Sequence, residues 1–207
     1  MKAPPTERET GAALLLALLA TLMLAALGGG LIALGDTEAN LAHNHRASAE
    51  LLYAADAAVE RALTEIRAAA TFTDVLTGAV RSPLFAATPQ PMAPWGVTVD
   101  LPALTTEVQT ESDAAGVWGM NNPAWRVFAA GPFDAAAGGV TGVPHAYLVV
   151  WVADDPSEVD NNPAGDTNDV VLVRGLALNA LGMRVSVRVT ARRVGGAMRV
   201  LAWRIVQ

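Results

Sequence analysis

The chain has 207 residues, 52% of them hydrophobic and 16% charged, with a formal net charge of −6 and no cysteine. The absence of cysteine excludes disulfides, thiolate metal sites and a cysteine nucleophile. The placement of charge matters more than its sum: residues 100–169 carry eleven acids against Arg126, and seven arginines with no acid follow Asp169, as when acidic loops and a basic strand edge compensate one another within one domain.

The first element is apolar. A polar leader at residues 1–10 gives way to an uncharged run at 11–35. At about 1.5 Å per residue, that run crosses a hydrocarbon core of roughly 30 Å. It exceeds the usual signal-peptide core, and no persuasive small-x-small cleavage site follows it directly. Lys2 and Arg8 give a weak positive-inside bias, offset by Glu7 and Glu9, which places the remainder of the chain outside. Gly28, Gly29 and Gly30 interrupt the run as a flexible point or a close helix contact.

No proline separates this run from a second helical pattern. Leu41, Leu52, Ala55, Val59, Leu63 and Ile66 recur at helix-compatible spacing, while Glu50, Asp56, Glu60, Arg61 and Glu65 occupy other faces. One face of this stalk is therefore expected to pack against the domain that follows.

Glu7-Arg8-Glu9-Thr10-Gly11, followed by Ala12-Ala13-Leu14-Leu15-Leu16, resembles the class III leader of type IV pilins and pseudopilins. The alanine-rich stretch at 44–63 is similar to the corresponding helix of PilX-like minor pilins. The resemblance implies cleavage after Gly11 by a prepilin peptidase, with Ala12 as the new methylated terminus. It also implies an inner-membrane precursor whose helix enters a filament beside other minor and major pilins or pseudopilins. Major pilins usually carry glutamate at the fifth mature position, which here is Leu16. A subunit lacking this acid suits a tip-proximal place, because a subunit at the leading end has no neighbour's terminal amine to neutralise. On this reading the chain divides into a leader at 1–11, a membrane or filament-core helix at 12–35, an amphipathic stalk at 36–70 and a β-rich head at 71–207. A pilus and a type II secretion filament remain equally compatible.

Helical periodicity then stops, apart from one short helix expected around 73–80. Strands are expected at 96–101, 125–129, 146–152, 170–178, 183–193 and 198–206. The run Arg184-Val185-Ser186-Val187-Arg188-Val189-Thr190-Ala191-Arg192 alternates strictly, with valines on a core face. Gly195-Gly196 marks a tight hairpin. The expected fold is α+β, a long N-terminal helix packed on a C-terminal antiparallel sheet, pilin-like in layout.

Between two strong strands, residues 154–169 are dense in carboxylates and amides. Hard divalent cations want several oxygen ligands, and such a loop can supply them. Asp155, Asp160, Asn162, Asp166 and Asn168 are the candidate donors, with calcium the candidate ion. The frame departs from the EF-hand pattern, and turn chemistry alone accounts for the same composition. Arg184, Arg188 and Arg192 are weighed as phosphate contacts, but neutralisation by the acidic loops or a neighbouring subunit is the favoured reading. His43 and His45, two apart, share no helix face, and His145 has no identifiable catalytic partner. With no recognisable catalytic motif, the chain is expected not to be an enzyme. The runner-up reading is a signal-anchored, calcium-dependent periplasmic binding or adhesion domain that never joins a filament.

Overall fold

The computed structural model describes residues 8–83, 98–116, 118, 121–133 and 146–206. Its element order is α1 (Arg8–Arg67), α2 (Phe72–Leu76), α3 (Leu101–Ala115), β1 (Arg126–Pro132), β2 (Ala146–Asp154), β3 (Val170–Asn179), β4 (Arg184–Val194) and β5 (Ala197–Val206). The chain divides into two compact units, residues 1–47 and residues 48–207.

In the first unit, α1 runs unbroken through Gly28, Gly29 and Gly30. Its leucines from Leu14 to Leu34 are exposed, and it is long and apolar enough to span a membrane. A Cβ added at any of the three glycines would meet no other atom within 4 Å, so here they leave a bare stretch of helix surface.

In the second unit the five strands lie in the order β1-β2-β3-β4-β5, each antiparallel to the next. The last twenty residues of α1 cover one face. Leu51, Ala54, Ala55, Ala58, Val59, Ala62, Leu63 and Ile66 are buried there with Leu148, Val150, Val152, Val171, Val173, Val187 and Val189. The alanines let the helix approach closely. At the tightest point Gly175 of β3 lies under it, where an added Cβ would come within 2.6 Å of Val59 Cγ2 and 2.8 Å of the Ala55 carbonyl oxygen. Leu41, expected on the buried face, is exposed in the first unit.

The long helix is not the sheet's only cover. The alternate side chains Tyr147, Val149, Trp151, Ala153, Leu172 and Leu176 pack with Leu101 and Val108 of α3 in a second core. This explains why all nine residues of β2 are buried: a strand covered on both faces reads as a continuous apolar run. Of the strand expected at 96–101, residues 96 and 97 lie outside the described residues, Val99 forms a single β-bridge, and Leu101 opens the helix α3, which was not expected. Asp100 Oδ1 accepts from the Ala103 amide at 2.9 Å, proline stands in the first turn, and Gly116 closes the helix at φ +60°. The start and stop signals were present in the sequence, but Leu101, Leu104 and Val108 make a thin apolar stripe among threonines and acids.

The acids of α3 engage arginines of the sheet. Glu111 pairs with Arg174 at 2.7 Å and Glu107 with Arg184 at 2.9 Å, while Thr105 Oγ1 accepts from Trp151 Nε1 at 2.9 Å. The β4–β5 turn falls on Gly195 and Gly196 at φ +57° and +77°, the two left-handed residues that a type I′ hairpin needs. The short helix α2 starts at its cap Thr71, whose side chain accepts from the Asp74 amide.

Candidate metal centre

The acidic loop leaves the sheet at Asp154, the last residue of β2, and returns at Val170. Its local bonds explain much of its composition. Asp155 Oδ1 accepts from the Ser157 amide at 2.8 Å and Asp160 Oδ1 from the Asn162 amide at 3.2 Å, while Asn168 Oδ1 and Asp166 Oδ1 accept from the Val170 amide at 2.8 and 3.2 Å. Asn168 Nδ2 donates to Asp155 Oδ2 at 2.7 Å, and the Asp166 amide donates to Thr73 Oγ1 at 3.1 Å, which ties the loop to α2. Arg193 closes the base by pairing with Asp169 at 2.7 Å.

A different set of acids converges inside the loop. Asp154, Glu158 and Asp160 each offer a carboxylate oxygen, and these atoms all lie within 4.8 Å of one another. Donors on one calcium, each at roughly 2.4 Å, lie no more than about twice that distance apart, so the separations admit a shared ion. Asp154 and Glu158 are buried, at 0% and 6% exposure. Each holds one oxygen in a hydrogen bond: Asp154 Oδ2 accepts from Asn121 Nδ2, and Glu158 Oε1 from the Thr167 amide at 2.8 Å. The other oxygen of each, Asp154 Oδ1 and Glu158 Oε2, is buried with no partner among the described residues. Nor does any described lysine or arginine pair with the trio.

Two buried carboxylates side by side without a counter-charge are costly, and the protein registers that cost. Burial pushes the Asp154 carboxyl up to about 7, with smaller upward contributions from Glu158 and Asp155, against the pull of its bonds from Asn121 and the Asp155 backbone. Asp166 is also raised, again chiefly by burial. A hard cation would resolve the conflict, because it would supply the missing charge and take up the unpartnered oxygens. The residues therefore fit a metal ion with oxygen-only ligands.

Of the five donors expected from the sequence, Asp160 belongs to this trio. Asp155, Asp166 and Asn168 use at least one side-chain oxygen within the loop, and the Asn162 amide caps Asp160. Asp154 and Glu158 were not among the expected donors. Asp154 reads as the end of an apolar strand; it and neighbouring Asp155 are both buried, and what separates them is that Asp155 has both oxygens hydrogen-bonded while Asp154 Oδ1 has no partner among the described residues. The other candidate residues lie elsewhere. Gly11, Ala12 and Leu16 sit exposed on α1; Arg184 is paired with Glu107; Arg188 lies over the Trp118 ring at 5.6 Å; Arg192 is exposed. His145 lies outside the described residues.

The raised Asp154 carboxyl has a pH signature in chelated protein. Folding favours its protonated form, so this contribution to stability is complete below the ordinary carboxylate range near 4 and is lost as pH rises to about 7. Denaturant midpoints measured with chelator present are expected to fall across that window, and D154N is expected to flatten the fall. No family model, curated protein or solved structure matches this chain.

Proposed function

We propose that the chain is a minor subunit of a type IV pilin-class filament, PilX-like and tip-proximal, anchored in an inner membrane with its head on the periplasmic side before assembly. One observation carries the reading: a single unbroken helix of 60 residues has exposed leucines along its first half and a buried face at its end in the core of an antiparallel head. An apolar helix of that kind moves from bilayer to the packed centre of a filament without exposing a charge, and Leu16 adds none. The bare surface at Gly28, Gly29 and Gly30 offers a close approach to a neighbouring helix. Its work is assembly, through contacts with other minor and major pilins or pseudopilins after a prepilin peptidase has cut behind Gly11.

The intact mass and N-terminal peptide of the protein from its native membranes test this. The expected terminus is methylated Ala12. A chain that retains residues 1–11, in a host that cuts its other prepilins, overturns the filament reading.

The buried acidic trio favours a second feature, which stands with or without a filament. The ion we assign to Asp154, Glu158 and Asp160 is calcium, because the donors are all oxygens on a loop that can supply backbone carbonyls and water to complete a coordination of six to eight. In an anchored domain that stays in the membrane, the same site would make a binding surface calcium-dependent.

A further inference from the structure

The seven arginines that follow Asp169 are not equivalent. Arg174, Arg184 and Arg193 pair with Glu111, Glu107 and Asp169. The other four, Arg188, Arg192, Arg199 and Arg204, have no carboxylate partner among the described residues. They form two cross-strand pairs on β4 and β5, with Arg188 directly opposite Arg204 and Arg192 opposite Arg199. Arg192, Arg199 and Arg204 are exposed, and Arg188 holds a buried Nε with no acceptor.

Like charges facing each other across a ladder destabilise it, so this face is built against its own electrostatics. The chain itself has little to neutralise it with: outside the described residues, the sequence from 71 onward contains one side-chain carboxylate, Asp134. Asp155 lines the same hollow as Arg188 and Arg204, but its oxygens are engaged by Ser157 and Asn168, so the face is open to negative charge from another molecule.

The same strand is a free edge. Among the described residues β5 pairs only with β4, and it is ten residues long. Its other face exposes Val200, Trp203 and Ile205 at 49%, 46% and 48%. The opposite edge, β1, is guarded: it is seven residues long, irregular between Val127 and Ala129, ends at Pro132 and is capped by the Ser82 amide donating to the Phe128 carbonyl. β5 has an irregularity of its own, at Leu201 opposite Thr190 and Ala191, but among the described residues no proline interrupts the strand and no capping bond covers its outer row of backbone groups.

We propose that the free edge of β5 accepts an extended strand of another protein, one that alternates acidic and apolar side chains. The acids lie over Arg199 and Arg204 and reach toward Arg188 and Arg192, the apolar residues extend the face of Val200, Trp203 and Ile205, and the backbone completes the ladder. A second copy's β5 is the wrong occupant, because it would bring its own arginines against these. A nucleic acid would use the arginines but neither the ladder nor the apolar face. The inference goes beyond the filament reading and does not depend on it.

The test uses the full chain in nanodiscs. The probe is a capped peptide of about ten residues, the length of β5, alternating glutamate and valine. At low salt it is expected to bind, to slow amide exchange along β5 and to weaken by roughly 10-fold or more with R199E/R204E, whose exposed positions leave the melting temperature unchanged or raised. A peptide N-methylated at alternate residues is expected not to bind. Absence of binding by the glutamate–valine peptide overturns the proposal, and so does binding that survives N-methylation. A DNA oligomer that binds where the peptide does not would reassign the arginines to phosphate.

Discussion

Calcium is expected to raise the melting temperature of the head by roughly 5–10 °C when the ion is about 100-fold above its dissociation constant, and D154N is expected to abolish the rise. The estimate follows from mass action. That excess stabilises the folded state by about 2.7 kcal/mol, and a domain of this size gains roughly 2–4 °C per kcal/mol. The five tryptophans make intrinsic fluorescence a direct readout. Without calcium, at about pH 8, D154N should melt at or above wild type, because it removes a charge buried at 0% exposure that has no cationic partner among the described residues. With calcium the order should reverse. E158Q should weaken the response, since Glu158 Oε2 is the second unpartnered buried oxygen. The response should also be larger at about pH 8 than at about pH 5, where a proton competes for Asp154. A calcium shift of equal size in wild type and D154N would place the ion elsewhere.

The second large effect is mechanical. Gly175→Ala is expected to destabilise the head by about 1–3 kcal/mol, and Gly175→Val by more, read as a drop in denaturant midpoint at unchanged slope. Overpacking is often relieved when a side chain swings away, but one of the two atoms in the way is the backbone oxygen of Ala55, 2.8 Å from the new Cβ. Moving it means moving the helix. The other obstacle, Val59 Cγ2 at 2.6 Å, can be removed, so V59A should partly rescue Gly175→Ala, with a coupling visible in a double-mutant cycle. If Gly175→Ala proves neutral, α1 does not seat on β3 as closely as described.

Much of the fold could be read directly from the chain. The unbroken helix, the strands at 146–152, 170–178, 183–193 and 198–206 and the glycine hairpin all declare themselves through period and turn chemistry, which act between near neighbours. The third helix did not, because its stripe is thin and its acids looked like surface charge. Glu107 and Glu111 are instead the partners of Arg184 and Arg174, residues 77 and 63 positions away.

The candidate metal site divides in the same way. That the loop at 154–169 is rich in oxygen ligands is a matter of composition, but the choice among them is not. Asp155 and Asp154 are adjacent and chemically identical, yet Asp155 spends its oxygens on Ser157 and Asn168 while Asp154 is left with one buried and unpaired. The sequence by itself determined the long apolar helix, the strand pattern and the oxygen-rich loop, because these depend on residues close along the chain. Only the tertiary structure decided which carboxylates meet, which arginines are already neutralised and which sheet edge stays open, because burial and pairing are set by groups that folding brings from far apart.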